Sequence, residues 1–136
     1  MTVIVTDTGF SHDDWDNGFA TPDERAANDT RGLHLTSDTD PAALAHLIVG
    51  VDMIRIDFPS FADGRGFSLA RQLRLLGYKG RLRAHGHVIS DQYAMARRSG
   101  FDEVEISEDL SLRQPEADWL SRADWQAYDY RSRLTG

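Results

Sequence analysis

The chain has 136 residues, 40% of them hydrophobic, with a formal net charge of −7 and no cysteine. That length fits one domain with a proper core, and the missing cysteines exclude a disulfide framework, a thiolate zinc site, a cysteine nucleophile and a cysteine-held iron–sulfur cluster within the chain. No apolar run reaches the roughly 18 residues of a membrane span, and the first seven residues lack the basic start and apolar stretch of a signal peptide, so a cytoplasmic location is expected.

Val3-Ile4-Val5 predicts a short strand. Residues 7–31 are polar and acidic, with Gly9, Gly18 and Pro22, and read as a long irregular arm. Such a loop in a small domain is functional, used in association, or a surface excursion. Trp15 and Phe19 argue for anchoring, since free aromatics waste apolar surface. Leu33-His34-Leu35 is the next strand. Ser37, Asp38 or Asp40 can cap a helix over residues 41–49, with Pro41 in its first turn. Residues 51–58 form a strand, 66–76 a helix stopped by Gly77, and 81–85 a strand. Ser90 or Asp91 caps a helix that runs to Ser99 and ends at Gly100. Residues 102–106 form a strand and 115–134 a final helix. A short strand and acidic arm thus occupy residues 1–32, and a βα-repeat domain occupies 33–136.

Four strand–helix units call for an α/β domain with a mostly parallel sheet of about four to five strands and right-handed crossovers. Open and half-barrel-like sheets both fit. Ile54, Ile56 and Phe58 share one face with Leu82, Ala84, Val104 and Ile106. The other face holds Arg55, Asp57, Arg81, Arg83, His85, Glu103 and Glu105. Parallel strands covered by helices on both faces read as continuous apolar runs; these alternate, so helices are expected mainly on one face. The polar face then meets water, the arm, a symmetry mate or the interior of a cup. Its opposite charges can pair across strands. In the final helix Trp119, Leu120, Ala123, Ala127, Tyr130 and Leu134 form an apolar stripe. Packing on the core explains the stripe, and a homodimer interface would use the off-stripe Trp125 and Tyr128.

Charge is uneven. Residues 1–54 carry ten acids and two bases, residues 55–100 three acids and nine bases, and residues 101–136 nine acids and four bases. Fourteen of the fifteen bases are Arg, the side chain for forked recognition of carboxylate, phosphate or sulfate; solvated helix positions are the plainer explanation. The acidic total and the lack of an aromatic-interleaved basic patch argue against nucleic acid.

Asp63-Gly64-Arg65-Gly66 lies at a strand-to-helix junction, where ligands bind in α/β proteins. Asp63 can cap the helix, and Gly64 and Gly66 permit positive φ and close backbone approach. The helix N–H groups with Arg65, and Arg71 and Arg83 nearby, are candidates to hold an anion. A plain capped turn fits the same residues. His85-Gly86-His87 places two rings on one side of an extended segment. They are the metal candidates, but no third firm ligand is evident. His12-Asp13-Asp14 lacks the oxygen spacing of a calcium loop. Asp91-Gln92 opens the next helix on the same sheet edge, so Arg65, His87 and Asp91 can converge, with Asp63 or Asp91 as the acid–base group for an anionic substrate. No nucleophile elbow or kinase set is present, and His34 and His46 look incidental.

The residues Phe58-Pro-x-Phe61-x-Asp63-Gly64-Arg65-Gly66-x-Ser68-x-Ala70-Arg71-x-Leu73-Arg74, then Gly77-Tyr78-x-Gly80-x-Leu82-Arg83-Ala84-x-Gly86-x-Val88, Asp91-Gln92 and Gly100-Phe101-Asp102 resemble the bacterial family called domain of unknown function 934. The resemblance is dense from about Leu44 to Glu105. It implies a link to assimilatory sulfite or sulfate reduction, through sulfite-reductase gene neighbourhoods, and the label of an oxidoreductase. It implies sulfite-reductase components as partners and brings no settled catalytic set or cofactor. The expectation is an accessory or anion-binding protein. An enzyme acting on a small sulfur- or phosphate-bearing anion, and a dimerising scaffold, are the alternatives.

Overall fold

Strands with one apolar and one charged face need two different coverings, and the chain supplies both. The structure, a computed structural model, describes residues 2–25 and 30–128, with the side chains of all but Ala127 and Tyr128 among them. The strands are β1 (Thr2–Thr6), β2 (Gly9–Ser11), β3 (Gly32–Leu35), β4 (Met53–Phe58), β5 (Arg81–Gly86) and β6 (Glu103–Ser107). They form one sheet in the order β2-β1-β6-β5-β4-β3. Strands β3 to β6 run parallel in sequence order, while β1 joins β6 antiparallel and β2 joins β1 antiparallel. The mostly parallel α/β sheet is therefore present, extended to six strands by an N-terminal hairpin.

The helices are α1 (Pro22–Arg25), α2 (Leu44–Leu47), α3 (Arg65–Leu75), α4 (Tyr93–Ser99), α5 (Glu108–Arg113) and α6 (Glu116–Leu120). None is long and apolar enough to cross a membrane among the described residues. Phe67, Leu69, Ala70 and Leu73 of α3 and Tyr93 and Ala96 of α4 pack into one core with Ile54, Ile56, Phe58, Leu82, Ala84, Val104 and Ile106. Gly66 is required by this packing. A Cβ there would fall 2.5 Å from Phe58 Cζ; Ala would improve helix propensity by about 1 kcal/mol but overpack the core by about 1–3 kcal/mol.

The arm covers the polar face. Arg83, at 0% exposure, donates to Glu103 (3.0 Å), to Glu105 (2.9 Å) and, through both terminal nitrogens, to Asp13 (3.1 and 2.9 Å). Arg81 bonds Glu103 (2.5 Å) and Asp14 (2.8 Å). The Phe19 ring lies 4.0 Å from the Arg55 guanidinium. A buried charge survives only when paired and hydrogen-bonded, and the arm completes that pairing. At the start of the arm, Asp7 accepts from the Tyr93 hydroxyl (2.5 Å), Arg97 and the Trp125 indole.

Both sheet edges are blunted. Ala20 N donates to Gly32 O (3.0 Å) and Ala20 O accepts from His34 N (2.8 Å), along β3. Glu116 accepts from Phe10 N (2.8 Å) on β2. Occupied edge groups discourage strand-to-strand association.

Several local expectations are corrected. Residues 41–49 form a 3₁₀ turn, Pro41–Ala43, capped by Asp40, followed by the single-turn α2. Neither Ser90 nor Asp91 caps the next helix: the Gln92 side chain accepts from Ile89 N, and Ser90 donates to Gln114 Oε1. Neither Gly64 nor Gly66 has positive φ. Among the described residues, the single helix expected over 115–134 is replaced by α6 and a 3₁₀ turn, Trp125–Tyr128, and α5 precedes it where no element was expected. Trp119 is buried but Leu120 is 42% exposed, so no continuous stripe forms; Tyr130 and Leu134 lie outside the described residues.

Arg83→Ala removes the buried partner that Glu103 and Glu105 share, leaving Arg81 on the first and the more distant Arg55 on the second, and a loss of about 3–5 kcal/mol is expected in urea unfolding. Asp13→Ala removes one of three partners and should cost about 1–2 kcal/mol. Burial opposes the Asp13 charge most strongly, but the Arg83 hydrogen bonds, the Trp15 N–H and the Arg83 and Arg81 charges together outweigh it and hold its pKa below the ordinary value. The Arg81 bond does the same for Asp14. Their stabilisation is thus present above the ordinary aspartate pKa and is lost as pH falls through the lowered values.

Candidate functional site

The parallel strands end at Leu35, Phe58, Gly86 and Ser107, and their carboxyl edge is where α/β folds place ligands. Two depressions lie there. They divide the residues that the sequence reading expected together.

The first, about 270 Å³, is bordered by Ser37, Asp38, Thr39, Arg65 and Ser68. Asp63 Oδ1 accepts from Arg65 N (3.1 Å) and Nε (3.0 Å), and Oδ2 accepts from Arg65 Nη2 (2.8 Å) and the Ser37 hydroxyl (2.7 Å). The Arg65 side chain, two residues on in a tight turn, folds back onto Asp63. Those bonds, first from Arg65 and then from Ser37, hold the Asp63 carboxyl far below the usual range. Gly64 is the N-cap of α3.

The other expected members lie elsewhere. Asp91 pairs with Arg122 (2.6 Å). Arg71 is exposed on α3. Arg83 is sealed under the arm and faces three carboxylates. The Asp13 and Asp14 of the weak calcium-like run are those same arm contacts. Arg65, His87 and Asp91 share no hydrogen bond or ion pair with one another, and each has another partner.

The second depression, about 170 Å³, lies between the end of β5 and α5, bordered by Phe61, His85, His87, Glu105, Ser107 and Arg113. Gly86 shapes it. Its φ is +107°, and a Cβ would fall 2.9 Å from Phe58 O, so only glycine fits. Beyond that turn His87 N donates to Phe58 O (3.0 Å), and the His87 ring sits edge-on to Phe61 at 5.1 Å. Gln92 Nε2 donates to Phe61 O (2.9 Å), joining the two loops.

His85 is the best-oriented titratable group here. Its Nδ1 lies 3.0 Å from Asp57 Oδ1, and its Nε2 3.7 Å from Glu105 Oε2. A carboxylate only accepts, so the Asp57 contact places the proton on Nδ1. Arg55 Nε donates to His34 Nδ1 (3.0 Å), which makes His34 the opposite tautomer. Burial, then the Arg55 charge, lower the His34 pKa and favour this neutral form. Among the described residues no group of three His, Cys, Asp or Glu could hold a metal ion, His85 and His87 included.

Sequence reasoning passed over Arg113, Asp57 as the His85 partner, and His34. Alternation put the last two on the polar face, but pairing His34 with Arg55 and Asp57 with His85 needed the strand register. Arg113 was not legible, because it depends on α5.

The profile of a family described as a bacterial protein of unknown function, DUF934, matches residues 32–132. The chain belongs to this family. No curated protein and no solved structure matches it. In this DUF934 member the matched residues run from β3 through α6 and include both depressions' edge loops, while the arm precedes them.

Carbon-13 NMR titration should find the Asp63 carboxyl still ionised at a pH where ordinary aspartates protonate. Arg65→Ala should bring its midpoint back toward the ordinary value. A normal Asp63 midpoint in the unaltered protein would show that the clamp does not form.

Proposed function

We propose that this DUF934 protein binds a small oxyanion and serves assimilatory sulfite or sulfate reduction in the cytoplasm as an anion-binding accessory protein. The observation that carries the anion half is the cleft that His85, His87 and Arg113 border together. Its volume suits a ligand of few atoms rather than a nucleotide, since pockets for larger ligands run to roughly 300–1,000 Å³. Arg113 is available to a ligand: its pairing with Asp109 (3.0 Å) leaves the two side chains 68% and 78% exposed, and such helix-surface pairs contribute only about 0.3–0.5 kcal/mol. Arg65 is less available, because Asp63 already takes its fork.

The sulfur half rests on the family resemblance, which also supplies the class of partner, a sulfite-reductase component. A second reading, an enzyme acting on the same class of anion, is favoured by the Asp57–His85 pair, since a carboxylate-oriented imidazole beside a cleft is the arrangement of acid–base catalysis.

Calorimetric titration with sulfite, sulfate and phosphate should detect binding that Arg113→Ala weakens roughly tenfold or more, as expected for a charge-assisted hydrogen bond. Failure of all three anions to bind, or equal binding by Arg113→Ala, contradicts the anion reading. Affinity capture from a sulfate-grown bacterial host should retain a sulfite-reductase subunit, and its consistent absence contradicts the accessory role.

A further inference from the structure

We propose that anion binding in the cleft beside His85 is proton-coupled: His85 Nε2 takes up a proton as the anion enters and becomes a donor to it. This rests on the anion-binding reading above and adds to it the group that changes charge.

The tautomer carries the argument. With its Nδ1 proton directed at Asp57, the neutral His85 ring presents a lone pair at Nε2. That nitrogen makes no hydrogen bond among the described residues, and Glu105 Oε2 is too far at 3.7 Å. A lone pair repels an oxyanion. Protonation turns the same atom into a charged donor, and charge-assisted hydrogen bonds are about twice as strong as neutral ones. Asp57 is placed to stabilise the resulting imidazolium through Nδ1. The step forms one N–H bond with a solvent proton; no other bond changes and no electrons are transferred.

The surroundings of the ring are specific. Asp57 faces it from β4 and Glu105 from β6. Glu105 is itself held by Arg83 (2.9 Å) and Arg55 (3.5 Å). His34 on β3 lies edge-on at 6.0 Å. Across the cleft are His87 and, from α5, Arg113. His87 is not equivalent. Its Nδ1 faces the Phe58 carbonyl (3.2 Å) and its ring packs on Phe61, so no carboxylate supports a charged form.

Inorganic sulfate is the probe, because it stays fully ionised across the neutral range and any proton taken up belongs to the protein. The full chain is titrated with sulfate by calorimetry in buffers of contrasting ionisation enthalpy, at several pH values. Where the His85 ring of the free protein is neutral, a proton should be taken up per sulfate bound, and affinity should fall by up to about tenfold per pH unit there. His85→Gln should bind with no uptake and a flat pH profile, whereas His87→Gln should keep both uptake and slope. Nitrogen-15 NMR of the unaltered protein gives a reading that needs no variant: Nε2 of His85 should change from unprotonated to protonated on adding sulfate. Sulfate binding without uptake, or with uptake unchanged in His85→Gln, overturns the coupling and leaves the anion site standing. Absence of sulfate binding at every pH overturns the coupling, and absence of binding by sulfite and phosphate as well removes the anion site with it.

Discussion

One buried guanidinium organises this molecule. Arg83 lies at the centre of β5 with no exposed surface, and an unpaired charge there would cost several kcal/mol. Three carboxylates from two segments answer it: Glu103 and Glu105 on β6, and Asp13 on the arm. The two glutamates tie neighbouring strands. The aspartate ties a segment far away in sequence to the face that the helices leave uncovered. Arg81 with Asp14 and Arg55 with Phe19 repeat the arrangement on either side. Replacing the cluster by apolar residues of similar size would be compatible with stability, so its significance lies in selecting where the arm goes.

That division of labour fixes the position of the cleft. Residues on the polar face stack in rows set by the strand register: His34, Arg55, Arg83 and Glu103, then Asp57, His85 and Glu105. The first row is consumed in internal pairing under the arm. The second is one step nearer the carboxyl edge, and there Asp57 and His85 remain about one-third exposed. The sheet thus passes from a sealed electrostatic anchor to an open acid–base pair within two residues along β5.

Much of this was legible in the sequence, because period-two alternation is imposed by strand geometry. Ile54-Arg55-Ile56-Asp57-Phe58 and Arg81-Leu82-Arg83-Ala84-His85 separated the two faces, and Trp15 and Phe19 pointed to an anchored arm. The three-residue β2 is too short to carry a period, so the antiparallel hairpin extension did not show. The final helix begins about where expected but ends at Leu120, and its entry is set by Gln114, whose Oε1 takes the N–H and hydroxyl of Ser90 and whose carbonyl takes the Trp119 indole N–H. Composition alone cannot reveal such a long-range partner. In the Asp63–Gly66 loop the residues offered as ligands satisfy one another, since Asp63 and Arg65 are close enough to close their own fork. The His85-Gly86-His87 run was visible, but its acid–base orientation required the register that sets Asp57 opposite His85.

The claim that Arg83 pins the arm is tested most directly by amide hydrogen exchange in Arg83→Met, a change that removes the charge and keeps an apolar stem. The Ala20 and His34 N–H groups, which join the arm to β3, should exchange roughly tenfold faster or more than in the unaltered protein while the amides between β4 and β5 stay protected. Unchanged protection at Ala20 and His34 in a folded variant would contradict the dependence of the arm on Arg83.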